Sequence, residues 1–127
     1  MYQWEGEREL FYALLTTLTA QGAVLEVGIG NGGTLSVLAA FSGGREVHAI
    51  DDFSYSQNGD QQAAVEKITS AFPISLTVAK SSAVTWDKPL AFLHIDGGHD
   101  FADIESDLRK FAPWVSVGGV LAVDDFM

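Results

Sequence analysis

The sequence contains no cysteine, and this absence excludes several kinds of chemistry. It cannot form a disulfide, a thiolate zinc site or a cysteine nucleophile, so a bound metal must use carboxylate oxygens or imidazole nitrogens. Hydrophobic runs are short, and none reaches the roughly 18–20 residues that a membrane-spanning helix requires. The first residues lack the basic and apolar segments of a signal peptide. We therefore expect a cytoplasmic protein with no membrane partner.

Positive charge is also scarce. The 127 residues include 7 Lys and Arg against 17 Asp and Glu, which gives a net charge of −10. Nucleic-acid binding relies on clustered Lys and Arg that neutralise phosphates, so we expect no nucleic-acid partner. Hydrophobic residues make up 47% of the chain, which is enough for a packed core. The length is typical of a single domain that spans residues 1–127.

Helical and strand-like patterns alternate along the chain. Apolar spacing predicts a first helix over about residues 5–19, and Thr34 is expected to cap the second helix. Short apolar segments predict strands at 23–27, 46–50, 74–78, 90–95 and 120–123, with further helices at about 34–41, 61–72 and 101–111. This alternation predicts a Rossmann-like α/β fold. We expect a doubly wound, mostly parallel sheet of five strands in the order 3-2-1-4-5, with helices on both faces.

Glycines and acids follow four of these strands, at the points where the strands end. Glycines follow the first strand, Asp51 and Asp52 the second, Asp96 the fourth, and Asp124 and Asp125 the fifth. In parallel sheets of this kind the ligand crevice lies beyond the carboxyl ends of the strands. The candidate site is therefore this acidic, glycine-rich edge of the sheet.

The glycine-rich segment between the first strand and its helix fits two cofactor-binding patterns. Gly28, Gly30 and Gly33 match G-x-G-x-x-G, the dinucleotide fingerprint, in which the pyrophosphate lies at a helix N-terminus. Asp51 follows 18 residues after Gly33, close to the expected place of a ribose-binding acid. The same segment also reads E-x-G-x-G-x-G, starting at Glu26. The glycine spacing by itself leaves both cofactor types open.

The second pattern resembles the first motif of the class I S-adenosylmethionine-dependent methyltransferases. Two other segments, 92–99 and 117–125, are similar to a bacterial subgroup of metal-dependent O-methyltransferases that includes cephalosporin-hydroxylase-like members. The resemblance spans nearly the whole chain. It implies S-adenosylmethionine as the cofactor and favours it over NAD.

The resemblance also implies which residues hold the cofactor. They are Glu26, Gly28, Gly30, Asn31, Gly32, Asp51, Asp52, Ser82 and Asp96. Glu26, acting through the loop or a water, would help to fix the amino acid end of the cofactor, which the glycines admit. Asp51 would bind the ribose hydroxyls, because a carboxylate can accept two hydroxyl hydrogen bonds. Ser82 would lie near the adenine.

Asp96, Asp124 and Asp125 end two strands that should be neighbours in the sheet. Converging carboxylates repel one another unless a cation lies between them, and all-oxygen ligands suit Mg²⁺, Ca²⁺ or Mn²⁺. In the resembled subgroup the equivalent positions hold Mg²⁺, which would lower the pKa of an acceptor hydroxyl and orient it for attack. The alternative is that these acids cap a loop and a helix.

Two histidines lie near this edge and are interpreted differently. His99 is the candidate general base, and with Asp96 it makes up the predicted catalytic pair, although a capping role for His99 stays open. His94 lies inside a strand and is expected to be a satisfied core histidine.

These patterns predict metal-assisted methyl transfer from S-adenosylmethionine to a hydroxyl of a small molecule. The alternatives are an NAD-dependent oxidoreductase and a cofactor-binding fragment without catalytic activity. The resembled family has a seven-stranded sheet, whereas this sequence stops directly after its fifth strand, so we expect a C-terminally truncated domain. An uncovered fifth strand would favour a homo-oligomer formed through that edge.

Overall fold

The structure is a computed structural model, and it describes residues 5–30, 32–54, 59–96 and 101–124. Helices and strands alternate along the chain as the sequence predicts. The elements are α1 (Glu5–Thr16), β1 (Ala23–Val27), α2 (Gly33–Ala40), β2 (Val47–Asp51), α3 (Asp60–Ala71), β3 (Ile74–Val78), β4 (Leu90–Ile95), α4 (Phe101–Phe111) and β5 (Val115–Val123). Two short 3₁₀ turns, Ser81–Ala83 and Ala112–Trp114, precede β4 and β5.

The five strands form one sheet in the order β3-β2-β1-β4-β5, and every neighbouring pair is parallel. This confirms the predicted fold class and strand order. The register pairs Glu26 of β1 with His94 of β4, and His94 with Ala122 of β5. Because all strands run the same way, their carboxyl ends meet at one edge of the sheet.

Helices cover both faces of the sheet, also as predicted. On one face a core cluster joins Phe11 of α1, Leu35 of α2 and Val65 of α3 to the strands. On the opposite face Phe111 of α4 packs in a second cluster. The inner strands β1 and β4 are buried along their whole length, because each has a strand on either side and helices above and below.

Two helix ends differ from the prediction. The first helix ends at Thr16 and not near residue 19. At this end the β-branched Thr16 and Thr17 donate hydroxyl hydrogen bonds of 2.8 Å to carbonyls one turn back, and such residues are less favourable in a helix. The predicted cap of α2, Thr34, is wrong. Gly32 occupies the cap position at φ +92°, and Thr34 is buried in the first turn.

The fifth strand is longer than predicted and irregular. It begins at Val115 and not at Val120, and its pairing with β4 jumps from Leu90–Val115 to Phe92–Val120. Gly118, at φ +84°, and Gly119 lie in the extra residues of this jump, so these glycines form a bulge inside the strand.

Within the described residues β5 pairs with β4 alone, so its other edge carries no strand. Oligomer formation through that edge stays a prediction. No helix in the described part of the chain is both long and apolar enough to cross a membrane.

Candidate cofactor site at the carboxyl edge of the sheet

A cleft of about 220 Å³ lies beyond the carboxyl ends of β1, β2 and β3, on the side where α4 packs. Four segments contribute its polar lining. These are Gly28 after β1, Asp51, Asp52 and Ser54 at β2, Lys80, Ser81 and Ser82 after β3, and Asp103, Ser106 and Asp107 of α4. The cleft thus occupies the edge at which the sequence predicts a ligand.

The loop after β1 reaches this cleft because glycine permits its backbone conformation. Gly28 and Gly30 have φ values of +85° and +62°, which residues with a Cβ rarely adopt. The Gly28 amide donates to the carbonyl of Ile50 over 2.8 Å, which fixes the start of the loop to β2. Asn31, a predicted cofactor residue in the same loop, lies outside the described residues.

Gly32 has a backbone role at the start of α2. Its φ of +92° is unfavourable for residues with a Cβ, and a Cβ here would also meet the flexible end of the Ile68 side chain of α3. Gly32 therefore provides the left-handed conformation from which α2 begins. It is absent from the lining of the cleft, so its predicted contact with a cofactor stays a prediction.

Asp51 holds two loops together at the wall of the cleft. One carboxylate oxygen accepts the Ile29 amide over 2.7 Å, and the other accepts the Phe53 amide over 2.8 Å. A carboxylate has about four acceptor positions, so roughly two stay available for a ligand. Phe53 is buried and has φ +57°, the one positive φ among the described residues other than glycine.

Asp52 also lines the cleft, as predicted. One of its oxygens accepts the Ser54 amide over 3.0 Å, and this hydrogen bond lowers the pKa of the Asp52 carboxyl. Both acids after β2 are therefore held by backbone amides.

The sequence interpretation missed the contribution of α4. Asp107 is buried and accepts a 2.5 Å hydrogen bond from the Ser81 hydroxyl, and its burial raises the pKa of the carboxyl. Asp103, one turn earlier on α4, and Ser106, next to Asp107, line the same cleft. Ser106 and Asp107 follow Asp103 by three and four residues, a spacing that indicates one polar helix face but does not show what that face contacts.

Lys110 fastens the segment that carries Ser82 to α4. Its ammonium donates to the carbonyls of Ser81, Ser82 and Val84 over 2.7, 3.0 and 2.6 Å. Ser82, the predicted adenine neighbour, therefore lies in a 3₁₀ turn that is held against the cleft, between the ends of β3 and α4.

Glu26 does not line the cleft. Its side chain is fully buried on the sheet face covered by α1, where one oxygen lies 2.7 Å from Nδ1 of His94. Burial raises the pKa of the Glu26 carboxyl. Burial alone would lower the pKa of the His94 imidazole, but the hydrogen bond and charge of Glu26 outweigh it and raise that pKa.

His94 is a core histidine, as expected, but only one of its two ring nitrogens has a hydrogen-bond partner among the described residues. The other, Nε2, is buried without such a partner and lies 4.0 Å from an oxygen of Asp124. The ring of Phe11 packs edge-on against the imidazole, with 5.2 Å between centroids. The register of β4 against β5 places His94 beside the end of β5. Hydrophobic periodicity cannot reveal this contact, because it joins distant segments of the chain.

Asp96 and Asp124 lie at the ends of neighbouring strands, as predicted. The Asp96 amide donates to the carbonyl of Val27 over 2.8 Å, and the Asp124 amide to that of Ile95 over 3.0 Å. The other members of the predicted metal and catalytic sets, Asp125 and His99, lie outside the described residues. The three-acid metal site therefore stays a prediction.

Residues 25–126 match a protein family described as "Methyltransferase domain". Among solved structures, the chain is similar to an rRNA methylase from Streptococcus thermophilus, with a TM-score of 0.65 and 17% identity over 97% of this chain and 71% of that one. It is also similar to a SAM-dependent O-methyltransferase from Thermotoga maritima, with a TM-score of 0.71 and 17% identity over 97% of this chain and 44% of that one.

A third similar structure is an N-methyltransferase from Bradyrhizobium japonicum in complex with S-adenosyl-L-homocysteine. Its TM-score is 0.65, and the identity is 15% over 94% of this chain and 60% of that one. At these identities the structures show a shared fold. Two of the three are matched over less than two thirds of their own length.

Proposed function

Because the chain belongs to the methyltransferase-domain family, we propose that it binds S-adenosylmethionine and transfers a methyl group to a hydroxyl of a small molecule, assisted by a divalent metal. The observation that carries this proposal is the acidic cleft at the carboxyl edge of the sheet. The same observation disfavours the alternative of an NAD-dependent oxidoreductase.

The charge of the cleft suits S-adenosylmethionine better than NAD. Among the described residues, four aspartates line it, Asp51, Asp52, Asp103 and Asp107, against one cation, Lys80. S-adenosylmethionine carries a positive sulfonium and a positive ammonium group, which such a cleft attracts. NAD carries a pyrophosphate with two negative charges, and these carboxylates would repel it.

Groups in and beside the cleft would bind the separate parts of the cofactor. The backbone around Gly28 and Gly30 would admit the amino acid end, and Asp51 would use its remaining acceptor positions for the ribose hydroxyls. Ser82 would lie near the adenine. Glu26 would act on the cofactor only through the loop, because its side chain is engaged with His94. When bound, S-adenosylmethionine supplies a methyl group activated by the sulfonium.

The metal would be held by Asp96, Asp124 and Asp125, with His99 as the general base. The backbone hydrogen bonds of Asp96 and Asp124 support this arrangement, since they bring two of the acids to adjacent strand ends. Carboxylate oxygens are suitable ligands for Mg²⁺. When bound, such an ion would lower the pKa of the acceptor hydroxyl, and His99 would take its proton.

A small molecule is the proposed acceptor, although similar structures include an rRNA methylase and an N-methyltransferase. The net charge of −10 disfavours RNA, because binding to phosphates needs positive charge. The fold shared with an O-methyltransferase is consistent with a hydroxyl acceptor.

Calorimetric titration of S-adenosylhomocysteine, with NADH as a comparison, tests the cofactor. We expect S-adenosylhomocysteine to bind and NADH not to bind. Asp51→Asn should weaken that binding by about 10- to 100-fold, because hydrogen bonds to a charged group contribute about 1.5–3 kcal/mol. The matched control is Asp87→Asn, an exposed position outside the cleft. Binding of NADH alone, or equal effects of the two variants, would contradict the proposal.

Transfer of a labelled methyl group to a panel of hydroxylated small molecules tests the reaction. We expect turnover with Mg²⁺ that is lost in EDTA and in Asp96→Asn. Transfer to RNA would refute the small-molecule acceptor. Cofactor binding without any turnover would support the alternative of a binding fragment.

A further inference from the structure

We propose that Glu7, His94 and Asp124 form a binding site for a divalent transition-metal ion such as Zn²⁺, with Glu26 positioning the histidine. Each residue offers one ligand atom, and these three atoms all lie within 4.8 Å of one another. The site lies on the sheet face covered by α1. It differs from the predicted three-acid site in taking a nitrogen ligand and a carboxylate from α1, while Asp124 belongs to both.

The unpartnered nitrogen of His94 is the observation that points to a ligand. The imidazole is fully buried, and its Nε2, which faces Asp124, has no hydrogen-bond partner in the part of the chain that the structure describes. A buried polar atom without a partner destabilises the folded state, so each such atom calls for an explanation, such as a missing ligand or a functional role. A metal ion between Nε2 and the two carboxylates would satisfy it.

Glu26 prepares His94 for metal binding. When Nδ1 donates its hydrogen to Glu26 over 2.7 Å, the lone pair of the neutral imidazole lies on Nε2, which faces Asp124. A carboxylate behind a metal-bound histidine is a recurrent arrangement, because it fixes the ring and strengthens the nitrogen as a ligand. The packing of Phe11 against the ring keeps the imidazole in place.

The remaining two ligands have room to adjust. In a tetrahedral site with bonds of about 2.0–2.2 Å, neighbouring ligand atoms lie roughly 3.5 Å apart, so the present cluster must contract by about 1 Å. Glu7 and Asp124 are partly exposed, and 40% of the Asp124 side chain is accessible. Rotation of these two side chains can therefore close the site around the fixed imidazole.

The mixed donor set decides which ion is preferred. Imidazole nitrogen suits Zn²⁺ and other transition metals, whereas Mg²⁺ prefers oxygen ligands alone. Metal binding here does not depend on methyl transfer. The inference therefore goes beyond the proposed function and can be tested without any cofactor.

Titration of Zn²⁺ into the untagged, cofactor-free chain tests the site by calorimetry. We expect Zn²⁺ to bind more tightly than Mg²⁺, and Glu7→Gln to weaken Zn²⁺ binding by about 10-fold or more. The matched control is Glu9→Gln, an exposed glutamate on the same helix, which should leave the affinity unchanged. Both positions have accessible side chains, so both variants should fold.

Nitrogen NMR of the three histidine side chains identifies the ligand atom. Zn²⁺ should shift the Nε2 resonance of His94 and leave His48 and His99 unaffected, and Glu7→Gln should raise the Zn²⁺ concentration needed for that shift by about 10-fold or more. Shifts confined to His48 or His99, or equal affinities of the Glu7 and Glu9 variants, would overturn the inference. Zn²⁺ binding at His94 without binding of S-adenosylhomocysteine would refute the proposed function and leave this site intact.

Discussion

Two histidine–glutamate pairs lie on the same sheet and behave in opposite ways. His94 and Glu26, 2.7 Å apart near the carboxyl edge, are both fully buried. His48 and Glu46, 2.9 Å apart near the amino end of β2, are more accessible, with 66% of the Glu46 side chain exposed. Burial raises the pKa of Glu26, whereas the hydrogen bonds from His48 and Lys88 lower that of Glu46.

The difference shows that burial and hydrogen-bond partners have different weights at the two carboxyls. At exposed Glu46 the hydrogen bonds from His48 and Lys88 dominate and lower the pKa, whereas at Glu26 burial outweighs the hydrogen bond with His94 and raises the pKa. Glu26 is fully buried, and its second oxygen has no hydrogen-bond partner among the residues that the structure describes. A buried pair of this kind is sensitive to the loss of either member, because the other is left uncompensated.

Removal of the buried histidine should have the largest effect on stability. His94→Ala leaves the Glu26 carboxyl buried without a partner and opens a cavity beside Phe11, so we expect a loss of about 3–5 kcal/mol in the free energy of unfolding. Urea denaturation measures this loss. His48→Ala is the matched control and should cost clearly less. Equal losses would mean that burial does not distinguish the two pairs.

Glu26→Gln should have an intermediate effect and change the pH dependence of stability. A raised pKa in the folded state means that the folded chain binds more protons, so stability falls as pH rises through that window. Both members of the pair have raised pKa values, from 4.5 for Glu26 and 6.5 for His94. The wild type should therefore lose stability from about pH 4.5 to above pH 6.5 relative to Glu26→Gln.

Denaturant unfolding at a series of pH values measures this difference between the two proteins. Parallel stability curves for wild type and Glu26→Gln across this range would show that the buried pair does not take up protons on folding.

Glu46→Gln should have the smallest effect on the free energy of unfolding. The pH dependence of that effect should be opposite in sign to that of Glu26→Gln. The lowered pKa of Glu46 contributes stability above its unfolded value of 4.5, which is lost as pH falls. We expect a small destabilisation at neutral pH and low salt, absent in high salt because exposed charges are screened. Thermal unfolding at two salt concentrations measures it. An effect as large as that of Glu26→Gln would contradict the comparison.

Much of the fold could be predicted from local patterns. The bounds of β1, β3 and β4 agree with the apolar segments, because buried strands of a parallel sheet are short apolar runs between turn residues. The start of β5 could not be predicted in this way. Glycine pairs such as Gly118 and Gly119 are typical of turns, and only the pairing of β5 with β4 makes them a bulge.

The site was predictable in part for a similar reason. Asp51 and Asp52 follow a strand, and a parallel sheet always brings that position to the carboxyl edge. Asp103 and Asp107 line the same cleft, but the side of α4 that faces it depends on how Phe111 and Ile104 pack against the sheet. Sequence spacing shows that two acids share a face and does not show what that face meets.

The sequence by itself determined the α/β architecture, the strand order and the glycine-rich loop, because these follow from hydrophobic periodicity, chain handedness and the conformations open to glycine. Tertiary structure alone decided the environment of His94. Glu26 stands 68 residues away in the chain, and the register of β1 against β4 brings the two side chains to 2.7 Å in a place without water. Solvation and contact between distant segments are properties of the folded chain, so no local pattern could have shown that this histidine is a candidate ligand.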